Sequence, residues 1–331
     1  MEQPSAAQEL PAEFVARLRA LFDASAMPGP ARHADCAAVL DSFAAPKRIG
    51  LWDNPLVPGG FDALIADVSI DPAGVTSLAH DVVALPASAR EAVMQHPLVI
   101  EGAIYPMNPS SLVAARALDA QPGDEVLDLA AAPGGKSLVL ASALTVDGEA
   151  TGRLACVEPV KPRFHRLRAN LERCGVRQVD TYLRDGRGVG RAVPERFDRV
   201  LLDAPCSSEA RVRLDEPDSW RHWSPRKIKE CARKQRGLLR SAFAALKPGG
   251  TLVYCTCSFA PEENEAIVEG LLTREPGARL VPVELTIDAP TRPPVSAWGR
   301  NRYALEHAHR VLPDALWDGF FIARIRKALK D

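Results

Sequence analysis

Two short runs place thiols in polar company: Asp203-Ala204-Pro205-Cys206-Ser207-Ser208 and Thr256-Cys257-Ser258-Phe259. Buried cysteine usually behaves as a small apolar residue. Cys36, Cys156, Cys174 and Cys231 fall within helix or strand patterns and read that way. Cys206 and Cys257 differ, because each sits in a loop just past an apolar run. A thiolate held beside an electrophilic ligand is the chemistry such a position supports. Cys255 and Cys257 form a C-x-C pair, but no second ligand pair at metal spacing accompanies it, which argues against structural zinc.

A third run, Asp128-Leu129-Ala130-Ala131-Ala132-Pro133-Gly134-Gly135-Lys136-Ser137, sets glycines between a strand and a helix, where backbone can approach a ligand closely. Gly135-Lys136-Ser137 would supply half of a phosphate-binding P-loop. That motif also requires glycine at the position of Ala130, so the reading is disfavoured. Glu158 ends the next apolar run and suits the ribose hydroxyls of a nucleoside. Asp185 ends the run after that; it either receives an adenine amino group or merely forms the turn before Gly186.

The elements that must position these residues follow from hydrophobic periodicity. Strands are expected at Glu125–Leu129, Leu154–Val157, Val179–Leu183, Asp198–Leu202, Thr251–Thr256 and Gly319–Ile325. Helices are expected at Leu10–Phe22, Ser110–Leu118, Ser137–Leu144, Pro162–Cys174, Pro225–Leu246 and Ile267–Leu272. Alternation of the two implies parallel β-α-β units in a doubly wound α/β sheet, whose ligands lie outside the carboxyl ends of the strands. Pro133–Lys136, Glu158, Asp185, Asp203–Cys206 and Cys255–Ser258 all fall at such ends. Residues 1–40 read as a helical segment and 41–104 as a small α+β unit broken by Pro and Gly turns. The catalytic unit is then 105–331.

Composition bounds the rest. The 331 residues are 47% hydrophobic and 25% charged, ordinary globular usage that excludes a wholly disordered, collagen-like or coiled-coil chain. No run approaches the ~20 apolar residues of a membrane span, and Glu2 and Glu9 do not suit a signal peptide. Seven cysteines fit reduced thiols, and the chain reads as a cytoplasmic monomer. The net charge of -1 conceals an asymmetry: residues 1–160 hold 9 Lys+Arg against 20 Asp+Glu, whereas 161–250 hold 22 against 11. Such a basic third is either a solvated surface or a local holder of a polyanion.

Taken together, the motifs resemble those of the NOL1/NOP2/Sun family of RNA (cytosine-5)-methyltransferases. The resemblance spans residues 101–326: A-A-P-G-G-K-S at 131–137, V-E-P at 157–159, D-A-P-C-S-S at 203–208 and L-K-P-G-G at 246–250. It continues with L-V-Y-C-T-C-S-F at 252–259, P-E-E-N-E at 261–265 and D-G-F-F-I-A-R at 318–324. It implies a class I, Rossmann-like methyltransferase domain that uses S-adenosyl-L-methionine and acts on structured RNA, ribosomal or transfer. The resemblance assigns Cys257 as nucleophile and Cys206 to product release, although a P-C cysteine is itself the nucleophile in DNA cytosine methyltransferases. Asp203 and Lys136 would complete the catalytic set. Ala132, Pro133, Gly134, Gly135, Lys136, Glu158, Arg163, Asp185, Gly186 and Asp203 would hold the cofactor. The basic helix Pro162–Cys174 and the stretch Arg211–Arg240, with Trp220, His222 and Trp223, would meet RNA phosphates and splayed bases, although Trp223 fits core packing better. The alternative is a non-catalytic RNA-binding or ribosome-assembly factor that keeps the fold.

Overall fold

The protein is described by a computed structural model that covers residues 10–23 and 35–330. Residues 1–9 and 24–34 of the expected N-terminal helical segment lie outside the described residues. The helix Ala12–Phe22 buries Phe14, Val15, Leu18, Leu21 and Phe22 on one face, the i, i+4, i+7 spacing of an amphipathic helix. A second helix, Cys36–Ala44, starts where the Asp35 side chain accepts a hydrogen bond from the Ala38 amide. Phe14 meets Trp223 edge-on at 5.0 Å, and Phe22 meets Phe259 at 5.5 Å. These helices therefore brace the segment that follows Cys257.

Residues 49–106 hold an antiparallel sheet in the order Thr76–Ala79, Val82–Leu85, Ile49–Asp53, Ile104–Pro106. The period-2 rule divides its faces. Ile49 and Leu51 join Leu64, Val83, Val93 and Ile104 in a core of their own, whereas Trp52, Val82 and Ala84 join the main core.

The main sheet runs 291–292, 309–311, 320–327, 246–256, 197–203, 125–128, 153–157, 180–182, with Ala278–Val281 paired to Phe320–Lys327. Its strands Glu125–Asp128, Arg153–Val157, Asp180–Tyr182, Phe197–Asp203 and Leu246–Thr256 are mutually parallel. Helices Gly135–Ala143, Lys161–Arg173 and Pro225–Ala245 link them as crossovers. Phe320–Lys327, however, is antiparallel to its neighbours, so the sheet is mixed. Parallel pairing needs a crossover helix. After the helix Glu265–Arg274 the described chain has only strands and loops, and its final strand returns antiparallel. The fold is a Rossmann-like class I α/β sheet. No helix among the described residues is long and apolar enough to cross a membrane.

Candidate active site

A cavity of about 940 Å³ opens at the carboxyl ends of the parallel strands. Ala132, Pro133, Gly135, Lys136, Glu158, Arg163, Asp185, Gly186, Asp203, Cys206 and Cys257 all line it. Gly134 alone of the expected set is absent from the lining. Its φ of +112° turns the chain into the helix Gly135–Ala143, and a Cβ there would meet the Leu167 side chain at 3.1 Å. Its role is to shape the loop.

One end of the cavity is acidic. Glu158 is 1% exposed, and its Oε1 accepts from the Val160 amide at 2.9 Å. Arg163 stands 3.7 Å from Glu158 and donates to the Ala132 carbonyl at 2.8 Å, joining the glycine loop to the second strand end. Asp185 takes the turn-forming role that its position allowed. It accepts from the Arg187 amide, forming the turn before Gly186, and its carboxylate is clasped by the Arg187 side chain. That bond holds its pKa below the usual carboxylate range. A Cβ on Gly186 would lie 2.9 Å from Leu238 and 3.0 Å from Leu129.

Asp128 ends the first strand of the sheet. Its Oδ2 accepts from Ser137 Oγ at 2.7 Å, and its Oδ1 is buried without a hydrogen-bond partner among the described residues. Burial raises its pKa to about 6, against the Ser137 bond, which lowers it. A cavity with an orphaned carboxyl oxygen and a second buried carboxylate fits a nucleoside bearing ribose hydroxyls and a cationic sulfonium or amine. It does not fit a P-loop. Lys136 Nζ is bound to Asp203 at 2.7 Å and to Ser111 at 3.1 Å, over the Phe320 ring, and so is not available to a polyphosphate. Burial, the largest influence, would lower its pKa, but the charges of Asp203 and Cys255 and the Asp203 hydrogen bond together raise it.

The two loop thiols meet. Cys206 Sγ and Cys257 Sγ are 3.1 Å apart, the latter 6% exposed. A single proton suffices for such a pair, and the surroundings decide its place. The hydrogen bond from Cys206 lowers the pKa of Cys257, burial opposes it, and the Arg211 charge adds to the lowering, leaving Cys257 at about 7. The same bond, with burial, drives Cys206 well up. Cys255, one residue short of the loop, is fully buried, and burial raises its thiol well above the usual range. Cys36, Cys156, Cys174 and Cys231 are buried as packing residues.

Three acidic groups that no strand-end argument singled out hold the two loops together. Glu263 accepts from the Ser207 amide and hydroxyl, from Ser258 Oγ at 2.9 Å and from Gln235 Nε2 at 2.8 Å. Burial raises its pKa to about 7, with those donors opposing. Glu209 accepts from the Phe259 amide at 2.9 Å and from Trp223 Nε1 at 2.8 Å, which makes Trp223 an anchor rather than a base-stacking platform. Asn264 bridges Thr256 Oγ1 and the Ser258 carbonyl, and Glu265 forms a buried pair with Arg310 at 2.6 Å. The P-E-E-N-E run contains most of this clasp and was its only sequence signal. Arg211, expected among RNA-facing cations, lines the thiol cavity.

Residues 115–326 match the family described as 16S rRNA methyltransferase RsmB/F. Ribosomal RNA small subunit methyltransferase F of Cronobacter sakazakii is 40% identical over 230 residues, 69% of this chain and 45% of that one. Its Escherichia coli counterpart is 40% identical over 232 residues, 69% and 46%. The chain thus spans about half the length of the curated relatives it matches. A methyltransferase homolog from Pyrococcus horikoshii is 28% identical, with a TM-score of 0.75 over 98% of this chain and 100% of that one. NSun6 from Pyrococcus horikoshii, solved with SFG, shares the fold: TM-score 0.76 at 20% identity, over 98% and 99%. With its glycine loop, strand-end acids and paired thiols inside the matched span, the chain belongs to the RsmB/F family of 16S rRNA methyltransferases.

Proposed function

We infer that the protein methylates carbon 5 of a cytosine in RNA, using S-adenosyl-L-methionine. The names of its relatives favour small-subunit ribosomal RNA as substrate. The observation that carries this reading is the thiol pair. The two sulfurs lie 3.1 Å apart, and both line the cavity that also holds Glu158 and Asp185.

Carbon 5 of cytosine is a poor nucleophile. The Cys257 thiolate adds to carbon 6, forming an S–C6 bond, and the C5=C6 electron pair moves to carbon 5. The Lys136–Asp203 pair orients the base by hydrogen bonds to its ring edge. Glu158, Asp128 and the glycine loop would hold S-adenosylmethionine, which would supply the activated methyl group for carbon 5, its sulfonium leaving as a neutral thioether. The cycle closes when the C5 proton leaves, the double bond re-forms and the S–C6 bond breaks. Cys206 suits that proton transfer. Once Cys257 is bonded to carbon 6, the negative charge that held the Cys206 proton is gone. Cys206 can then lose that proton to solvent and accept the one from carbon 5. The exposed cations Arg233 and Arg236, on the helix whose Lys234 lines the cavity, would meet RNA phosphates. A target base inside a duplex must first be flipped out.

The test is a denaturing gel with labelled RNA and cofactor. Cys257→Ala should form no protein–RNA adduct and transfer no methyl group. Cys206→Ala should accumulate adduct. Exchange of the two gels would make Cys206 the nucleophile, and full turnover in both variants would refute the covalent mechanism.

A further inference from the structure

A second cavity, about 580 Å³, adjoins the first. Pro106, Met107, Asn108, Arg211 and Asp318 line both, so the two communicate. Its walls come from the small sheet and the segment after Cys206, and it contains five cations: Lys47, Arg48, Arg90, Arg211 and Arg213.

Three of these cations are engaged in holding the walls. Lys47 donates to the Asp314 and Trp317 carbonyls and lies 3.6 Å from Asp318. Arg48 donates to the Gly74 and Ala84 carbonyls, and Arg213 to that of Ala45 beside Asp215. The pairing leaves Glu216 as the cleft's remaining carboxylate. Arg90 and Arg211 are exposed, and neither side chain has a hydrogen-bond or ion-pair partner among the described residues. Arg211 is nonetheless fixed in place. The turn Glu209–Arg211 is tied to the nucleophile's own backbone, since the Ala210 amide donates to the Cys257 carbonyl at 3.1 Å.

We propose that this second cavity receives the nucleotide next to the target cytidine, with Arg211 at the junction binding the phosphodiester between them and Arg90 binding the next phosphate. The proposal rests on the RNA reading above. If the target base occupies the thiol cavity, its strand must leave through an opening, and this one offers two guanidinium groups without a hydrogen-bond or ion-pair partner among the described residues. Guanidinium groups suit phosphate, because each can donate two parallel hydrogen bonds to it.

Binding of the pentaribonucleotide UUCUU, whose single cytidine sets the register, tests this by fluorescence anisotropy. Each phosphate is replaced in turn by a neutral methylphosphonate. Wild-type protein should lose about tenfold in affinity when one linkage beside the cytidine is neutral, the scale of a charged hydrogen bond. Arg211→Ala should bind the charged and neutral forms of that linkage alike. Arg90→Ala, remote from the thiols, should lose discrimination at the adjoining linkage only. If wild type binds UUCUU but ignores every neutral linkage, or if the variants discriminate as wild type does, the subsite assignment fails while the RNA reading stands. If wild type does not bind UUCUU even at low salt, both fail.

Discussion

Replacing Cys206 with alanine isolates the cause of the acidity at Cys257. Cys257 titrates at about 7, against ~8.5 for an unperturbed cysteine, so the site favours its thiolate by about 2 kcal/mol. The largest contribution is the hydrogen bond from Cys206, opposed by burial and helped by Arg211. Removing the donor leaves burial in place, and the midpoint should rise to ~8.5 or above. At pH 7 the thiolate fraction would fall from about one half to about 3%. A less acidic thiolate is also the better nucleophile, which recovers roughly fivefold. Iodoacetamide labelling of Cys257, followed by mass spectrometry of its peptide from pH 5.5 to 9.5, should therefore slow only about threefold at pH 7. Its high-pH plateau should rise about fivefold. The sign is diagnostic, because a merely loosened site would speed labelling at every pH. A midpoint in Cys206→Ala that stays with wild type would refute the shared-proton argument.

Glu158→Ala should weaken S-adenosylmethionine binding about tenfold to a hundredfold by calorimetry, the cost of a lost charged hydrogen bond; equal affinities would remove Glu158 from the site. Arg310→Met should destabilise the fold by about 3–5 kcal/mol in urea unfolding, because it leaves Glu265 charged and buried. A loss under 1 kcal/mol would contradict that. Replacing Arg233 and Arg236 together by alanine should flatten the dependence of log affinity for ribosomal RNA on log salt by about 1 to 2. An unchanged slope would return that helix face to ordinary solvated surface.

Much of the architecture was legible along the chain, for a physical reason. In a parallel α/β sheet every strand ends at the same edge, so a residue's place at a strand end already predicts its company. Glu158, Asp185, Asp203, Cys206 and Cys257 converge on one cavity by that rule. The helices were readable because their burial is periodic, as Phe14, Leu18 and Leu21 show. What periodicity cannot report is a partner. The antiparallel return of Phe320–Lys327 depends on which edge remained open, not on its own composition. Glu263 looks like any surface acid until the fold brings Ser207, 56 residues away, to its carboxylate. Arg211 belonged by sequence to a basic surface, and only the turn tied to the Cys257 carbonyl brings it to the thiols. The sequence alone thus determined which groups share the cavity. The tertiary structure decided that the two thiols meet beside the Arg211 charge, because that depends on residues distant along the chain.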